Sequence, residues 1–197
     1  RYTPRAGRFA QVTPEEDAAG GCDGVSDGKW GFHTEMEHDP WWQVDLGETR
    51  ALGHLLIYNR CDGLETRAAH ITVLLSHDGR DFRPVYAHDG TTFRGHPDQQ
   101  PLRVSLAGQT ARFVRLQLPG HVYLHLDEVE VMADDGQTNL ALHKPATQSS
   151  TSQWSVRHTA RGDAVDWPHV VRLSLERGNQ LAAALQWKVS GKTAYGT

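Results

Sequence analysis

Three basic side chains and one carboxylate stand at a spacing that could build a hydrogen-bonding site. Arg60-Cys61-Asp62 is followed after four residues by Arg67, and His33 precedes Arg60 with 26 residues between them. Guanidinium and imidazole groups hold their donors in fixed directions, so such a set could bind neighbouring hydroxyl groups. An Arg–Asp pair at the end of a strand is also common as a simple loop staple. The pattern by itself leaves both interpretations open.

No recognisable catalytic set accompanies these residues. The 12 His are scattered, and the sequence has neither HExxH nor Cys/His pairs at zinc-ligand spacing. It also has no GxSxG motif and no phosphate-binding glycine loop before a helix. Glu35 and Glu37 stand two residues apart on one segment, which does not give the facing carboxylates that glycoside hydrolysis needs. We therefore expect that the chain is not an enzyme.

Short apolar runs separated by turn residues follow one another along the middle of the chain. They cover residues 41–47, 51–59, 69–76, 81–88, 102–106, 111–118 and 123–133. Short runs at this spacing predict an all-β fold, either an antiparallel sandwich or a barrel. In the last run the alternation of apolar and polar residues fails at Asp127-Glu128. Such a break indicates a bulge or a functional constraint on a carboxylate.

The composition divides the chain into four segments. Residues 1–19 are a polar leading segment with at most one short strand, and residues 20–134 hold the β-rich runs. Residues 135–165 read as an extended linker, and residues 166–197 as a helical extension and tail. The helix has a ragged apolar stripe, which usually packs on a neighbour. We therefore expect this chain to be a fragment of a protein with further domains.

Charge and cysteine content exclude several classes of partner. The net charge is −4 and basic residues form no long run, so neither a nucleic-acid surface nor an anionic membrane surface is predicted. No apolar stretch approaches the 20 or so residues that a transmembrane helix needs. Cys22 and Cys61 allow at most one disulfide, and pairing is the less favoured alternative.

The order of these elements resembles the discoidin, or coagulation-factor type C, superfamily. Asp23-Gly24, PWWQVDLG at 40–47 and LHLDEVEV at 124–131 follow one another as they do in that superfamily. The resemblance covers about residues 20–133 and implies an antiparallel jelly-roll β-sandwich, here followed by an extended segment and a helix. Residues 139–155 resemble the opening of another repeat. They are either a truncated second repeat or a strand borrowed by the first sandwich.

The arginine motif with its upstream histidine resembles the fucose-binding F-type lectins within that superfamily. This resemblance implies that His33, Arg60 and Arg67 contact a sugar and that Asp62 orients an arginine. Phe32, beside His33, is a candidate for an exposed apolar platform under the sugar ring. The adjacent cysteine pair usual in those lectins is missing after the motif, which puts fucose specificity in question but not the site.

The superfamily commonly holds one structural calcium between the early Asp-Gly loop and the last strand. Calcium takes six to eight oxygen ligands, with carboxylates and carbonyls mixed. The resemblance implies side-chain oxygens from Asp23 and Glu128, and carbonyl oxygens from Gly20, Val25, Trp30 and Asp127. The competing interpretation is that the early aspartates are ordinary turn residues.

The function implied by the resemblance is a non-catalytic, lectin-like module that binds a glycan, with fucose or a related sugar as the candidate ligand. Such a module is expected outside the cell or on its surface. Two alternatives remain. One is an adhesion module that binds a protein or lipid surface. The other is an accessory domain of a carbohydrate-active enzyme whose catalytic part lies outside this fragment.

Overall fold

A computed structural model describes residues 12–96 and 98–158 of the chain. The chain divides into two compact units, residues 1–160 and 161–197, and all described residues lie in the first. The predicted helical extension, residues 166–197, is outside the described residues. The elements are α1 Pro14–Ala18, β1 Phe32–His33, β2 Glu37–His38, β3 Trp41–Tyr58, β4 Thr72–Ser76, β5 Arg83–Ala87, β6 Leu102–Gln117, β7 His121–Val122, β8 His125–Leu126, β9 Glu128–Ala133 and β10 Ala146–Gln148.

Two long strands, β3 and β6, form the centre of the fold. They pair antiparallel, from Trp41 opposite Gln117 to Ile57 opposite Leu102. β10 and β9 pair with the other edge of β3, near its start and its end, while β4 joins β6 to β5. The short strands form two separate antiparallel pairs, β1 with β8 and β2 with β7. This arrangement confirms the predicted all-β, antiparallel β-sandwich.

The strands are longer than the sequence predicted. Residues 41–47 and 51–59, predicted as two strands, form the single strand β3, and β6 likewise joins two predicted runs. The register of β3 against β6 and β9 shifts between Leu52 and His54. Buried positions are even-numbered before this shift and mostly odd-numbered after it. A bulge inserts one extra residue and reverses the alternation there. The gap between the two predicted runs falls at a second register shift of β3 against β6, between Asp45 and Arg50, where consecutive residues are exposed. One irregular strand therefore has the sequence pattern of two.

The core lies on the inward faces of the long strands. Trp42 is fully buried while its neighbour Trp41 is half-buried, as expected for adjacent residues on opposite faces of a strand. The indole Nε1 of Trp42 donates to the carbonyl oxygen of Ala18 at 2.9 Å, which satisfies its polar atom. Burial of such side chains contributes about 1.5–3 kcal/mol each.

The end of the leading segment is helical, which corrects the prediction of at most a short strand there. Thr13 caps α1 in a capping box: its hydroxyl accepts from the Glu16 amide, and the Glu16 carboxylate accepts from the Thr13 amide at 3.0 Å. Asp17 and Ala18 of α1 are buried. Residues 12–19 therefore belong to the packed domain. No helix among the described residues is long and apolar enough to cross a bilayer.

The segment after the last long strand returns to the sandwich. β10 pairs with the start of β3, with Ala146 opposite Val44 and Gln148 opposite Trp42. Residues 139–155 were predicted to be either a truncated second repeat or a strand borrowed by the first sandwich. For β10 the structure shows the second alternative, a strand added to the sandwich. The boundary predicted at residue 134 moves accordingly, because residues as far as His158 contact the domain. Both cysteines are free, and burial raises the pKa of the Cys22 thiol to about 12.

Candidate functional site

The ends of several short elements meet at one end of the sandwich. His33 closes β1, and Arg60 follows the end of β3. Arg67 lies in a 3₁₀ turn, Glu65–Ala68, that starts three residues after Asp62. Tyr123 lies between β7 and β8, and β8 pairs with β1 at His33. The fold therefore brings together residues that are far apart in the sequence.

A pocket of about 330 Å³ opens between these elements. It is lined by Trp30, His33, Arg60, Leu64, Arg67, Tyr123 and Trp154. The three residues predicted to contact a ligand, His33, Arg60 and Arg67, therefore share one pocket. Two other predicted site residues, Asp62 and Phe32, are not part of its lining.

Asp62 holds Arg60 in place. The Arg60 side chain is 5% exposed, and its Nε donates to Asp62 Oδ1 at 2.6 Å while its Nη2 donates to Asp62 Oδ2. This bidentate bond lowers the pKa of the Asp62 carboxyl below its usual value. The guanidinium carbon also lies 4.8 Å from the centre of the Trp30 ring. Arg60 is therefore fixed on two sides before any ligand arrives.

Arg67 is the exposed counterpart of Arg60. Its side chain is exposed, and its guanidinium carbon lies 5.6 Å from the centre of the Tyr123 ring. A cation over an aromatic face at this distance is held loosely compared with a bidentate ion pair. The pocket thus has one rigid guanidinium and one that can adjust.

The two nitrogens of the His33 ring have different environments. Nδ1 lies 2.8 Å from the carbonyl oxygen of Thr34, which can only accept, so Nδ1 carries the proton. Ser152 Oγ lies 3.2 Å from the same nitrogen. Burial, followed by the nearby Arg60, lowers the pKa of His33. The ring is therefore neutral near pH 7, and Nε2 remains available as an acceptor.

His125 is buried behind the pocket, next to His33. The sequence did not predict this contact. Its ring centre lies 4.9 Å from that of His33, and among the described residues neither ring nitrogen has a hydrogen-bond partner. Burial, together with Arg60, lowers the pKa of His125 to about 3. The ring is therefore neutral at physiological pH and adds no charge behind the arginines.

The prediction that Phe32 is an exposed platform is wrong. Phe32 is fully buried and its ring stacks on Trp42, with ring centres 5.6 Å apart. The two-residue strand β1 is covered on both faces, so Phe32 joins the core while His33 reaches the pocket. Aromatic walls come instead from Trp30, Tyr123 and Trp154. Trp154 was missed because residues 139–155 resemble the opening of another repeat, so no role in this pocket was predicted for it.

The acidic residues predicted to bind calcium lie near the early glycine-rich loop. Glu128 Oε1 accepts from the Gly24 amide at 3.1 Å, and Oε2 is buried without a partner among the described residues. Burial, and then the nearby Asp23, raises the pKa of Glu128 to about 9. An unpaired buried carboxylate is costly, and a cation would offset that cost.

Backbone oxygens converge beside the same loop. A methyl group on Gly31 would lie 2.1 Å from the Gly20 carbonyl oxygen and 2.3 Å from that of Asp127, so both oxygens approach this glycine closely. The Asp127 carboxylate accepts from the amides of Asp27 and Gly28. Burial raises the pKa of Asp127 to about 6.

The donor set fits an oxygen-binding cation better than a transition metal. Across residues 12–96 and 98–158, no three His, Cys, Asp or Glu side chains converge to hold a metal ion. Asp23 Oδ1 accepts from the Val25 amide, and Oδ2 lies 3.5 Å from His158 Nδ1. A cation here would have to combine Glu128 with carbonyl oxygens, which is the ligand mixture that calcium accepts. The roles of the Val25 and Trp30 carbonyls stay predictions.

Two solved structures of sugar-binding domains are similar to this chain. The solved structure of a Streptococcus pneumoniae fucose binding module is 26% identical, with a TM-score of 0.53, covering 63% of this chain and 87% of that one. The lectin domain of lectinolysin complexed with Lewis B antigen is 32% identical, with a TM-score of 0.49, covering 62% of this chain and 89% of that one. No curated protein sequence matches.

The family comparison extends over most of the described domain. A family model for the F5/8 type C domain matches residues 9–129. The match begins before α1 and ends at the start of β9, so it includes His33, the arginine motif and the acidic pair at 127–128. The chain therefore belongs to the F5/8 type C, or discoidin, domain family.

Proposed function

We propose that this domain is a non-catalytic carbohydrate-binding module whose ligand occupies the pocket between His33, Arg60 and Arg67. The observation that carries the proposal is the convergence of these three side chains in one pocket of about 330 Å³. Two guanidiniums supply donors and the neutral His33 ring supplies an acceptor at Nε2, which together match adjacent hydroxyl groups of a sugar. The volume is at the lower end of small-ligand pockets, which suits one sugar residue.

The apolar part of the pocket supports the same ligand class. Trp30, Tyr123 and Trp154 place aromatic rings beside the polar donors. A sugar presents hydroxyl groups along its edge and C–H groups on its faces, so it needs both kinds of contact at once. A free phosphate or a carboxylate would use the arginines and leave the aromatic walls without a role.

L-Fucose or a related sugar is the proposed ligand. This choice is supported by the likeness to the fucose binding module from Streptococcus pneumoniae, together with the His33 and arginine spacing. We place the module in a larger protein that acts outside the cell or on its surface, where glycans are displayed.

We also propose that calcium binds beside Glu128 and stabilises the early loop. The support is the buried Oε2 of Glu128, which has no hydrogen-bond partner within the described part of the chain, and the close approach of the Gly20 and Asp127 carbonyl oxygens at Gly31. When bound, calcium would supply the positive charge that this carboxylate lacks. Its role is structural, because it holds loops rather than the ligand.

A glycan array with fucosylated and non-fucosylated glycans tests the proposed function. Arg67→Ala removes an exposed guanidinium from the pocket and should weaken the wild-type signal roughly 10- to 100-fold, because charge-assisted hydrogen bonds are lost. Arg60→Ala should weaken the signal at least as much. Arg50→Ala, which removes an exposed arginine paired with Glu48, is the matched control and should bind like wild type. Absence of signal from the folded wild type on every glycan would overturn the proposal.

A further inference from the structure

The turn that follows β10, residues 149–158, forms part of the pocket wall although it lies beyond the family match. That match ends at residue 129, whereas Trp154 lines the pocket. The turn directly follows β10. Because β10 pairs with β3, the position at which the chain leaves the sheet and enters the turn is fixed. The pocket of this chain therefore has a wall that lies outside the matched family region.

The backbone of this turn is anchored to buried groups. Ser155 Oγ lies 2.9 Å from both Asp17 Oδ2 and the carbonyl oxygen of His33, and the Val156 amide donates to Asp17 Oδ1 at 2.6 Å. Trp30 Nε1 donates to the carbonyl oxygen of Trp154 at 3.2 Å. On the preceding side, the Trp154 amide donates to Ser152 Oγ at 3.2 Å. These bonds hold the backbone at Trp154 and directly after it before a ligand binds.

The indole ring of Trp154 lies against the binding residues themselves. Its centre is 4.8 Å from that of His33 and 5.5 Å from that of Tyr123, with the Tyr123 ring nearly perpendicular to it. Even so, 38% of Trp154 remains exposed. A tryptophan that served only to pack the turn would gain most by burying this apolar surface. Its exposure is explained if a ligand covers the ring.

We propose that Trp154 contacts the ligand and determines specificity by stacking its indole on the C–H face of the bound sugar. This inference rests on the proposed function. The fixed donors of Arg60 and the acceptor of His33 bind hydroxyl groups, while the indole selects sugars that turn an uninterrupted C–H face toward it. A sugar with a hydroxyl group on that face would leave the hydroxyl unpaired against the ring, which lowers affinity.

Calorimetric titration of the whole chain with methyl α-L-fucoside, together with the glycan array, tests this role. Trp154→Ala should lose on the order of 10- to 100-fold in affinity, because the stacked surface is removed. Trp154→Phe should keep part of the affinity, because a smaller aromatic ring remains to stack on the sugar. Gln153→Ala, an exposed neighbour in the same turn, is the control and should stay within about twofold of wild type.

The outcomes separate the two proposals. If the wild type binds no glycan and no fucoside, the proposed function fails, and this inference fails with it. If the wild type binds and Trp154→Ala binds within about twofold of it, only the role of Trp154 is overturned. An equal loss in Gln153→Ala also overturns it, because the effect then belongs to the turn rather than to the ring. Melting curves of all variants should coincide within a few degrees.

Discussion

His33 connects the pocket to the structure behind it through its two ring nitrogens. Nδ1 donates to the Thr34 carbonyl oxygen inside the domain, so the tautomer with a free Nε2 is the one present in the neutral ring. Burial opposes a second proton on His33, and the positive charges of Arg60 and Arg67 oppose it further, so the pKa of His33 is lowered. The pocket therefore combines two cations with one acceptor at neutral pH.

This arrangement predicts how ligand affinity depends on pH. The pKa of His33 is lowered from its usual 6.5, so the ring stays neutral and Nε2 accepts at and above that pH. Affinity for methyl α-L-fucoside should be constant from pH 8 to 6.5. Below the His33 pKa the proton competes with the ligand hydroxyl, and affinity should fall toward tenfold per pH unit. Calorimetry at several pH values measures this directly.

His33→Gln is the matched variant for that measurement. A glutamine keeps an acceptor at the site and does not titrate, so the variant should bind more weakly but without the acid-dependent loss. Tryptophan fluorescence would confirm that both proteins stay folded over the range used. Affinity that rises on acidification would show that the charged ring is the binding form, contrary to this account.

At the scale of elements, the short helix α1 links the pocket to the rest of the domain through Asp17. This buried carboxylate accepts from the His33 amide at 2.9 Å and from Gln148 Nε2 of β10 at 2.8 Å. It also accepts from Ser155 and Val156 in the following turn. One side chain thus joins α1, β1, β10 and the turn that carries Trp154.

Removing this carboxylate should affect stability and binding together. Asp17→Ala leaves several buried donors without an acceptor, and each such donor costs about 1–3 kcal/mol. We expect a loss of roughly 3 kcal/mol or more in the free energy of unfolding, measured with urea. Affinity for the fucoside should fall as well, because both His33 and the Trp154 turn lose their anchor.

Glu15→Ala provides the comparison within the same helix. Its exposed carboxylate accepts a hydrogen bond from the Thr147 hydroxyl at 3.0 Å, so the loss in the free energy of unfolding should stay below about 1 kcal/mol. If Asp17→Ala unfolded at the same urea concentration as Glu15→Ala, Asp17 would not be the link described here.

At the scale of the whole molecule, the early loop and β9 meet around Glu128. The carbonyl oxygens of Gly20 and Asp127, which approach each other at Gly31, come from near the start and the end of the matched family region. A cation bound by both would connect these two parts of the domain. A ligand that binds only the folded state raises stability with its concentration. Calcium binding can therefore be measured from the stability of the protein, without knowing which sugar it binds.

Calcium should therefore raise the melting temperature of protein that has been stripped with EDTA. At free calcium near 100 times its Kd, the expected stabilisation is about 2.7 kcal/mol. Glu128→Gln removes the charged ligand and should abolish the response to calcium. Glu130→Gln, two residues along the same strand, should respond like wild type. If neither EDTA nor calcium changes the melting temperature of the wild type, the calcium site is excluded.

The sequence by itself determined the fold class and pointed to residues near strand ends that line the pocket. The alternation of apolar residues and the turns between runs are local properties, so they predicted an antiparallel sandwich or barrel. The choice of the sandwich came from the family resemblance. The spacing of Arg60, Asp62 and Arg67 lies within one strand end and its loop, which is why the motif could be recognised. His33 was reached through the family resemblance, and it lines the same pocket.

Only the tertiary structure decided which aromatic residues form the pocket and which form the core. Phe32 was predicted to lie under the sugar ring, and no role was predicted for Trp154. In the structure Phe32 stacks on Trp42 inside the core, and Trp154 lines the pocket. The indole Nε1 of Trp30 donates a hydrogen bond to the carbonyl oxygen of Trp154, although 124 positions separate the two residues. Such contacts depend on how β10 pairs and on how the bulged strand β3 bends, and these follow from the packing free energy of the whole domain rather than from any local pattern.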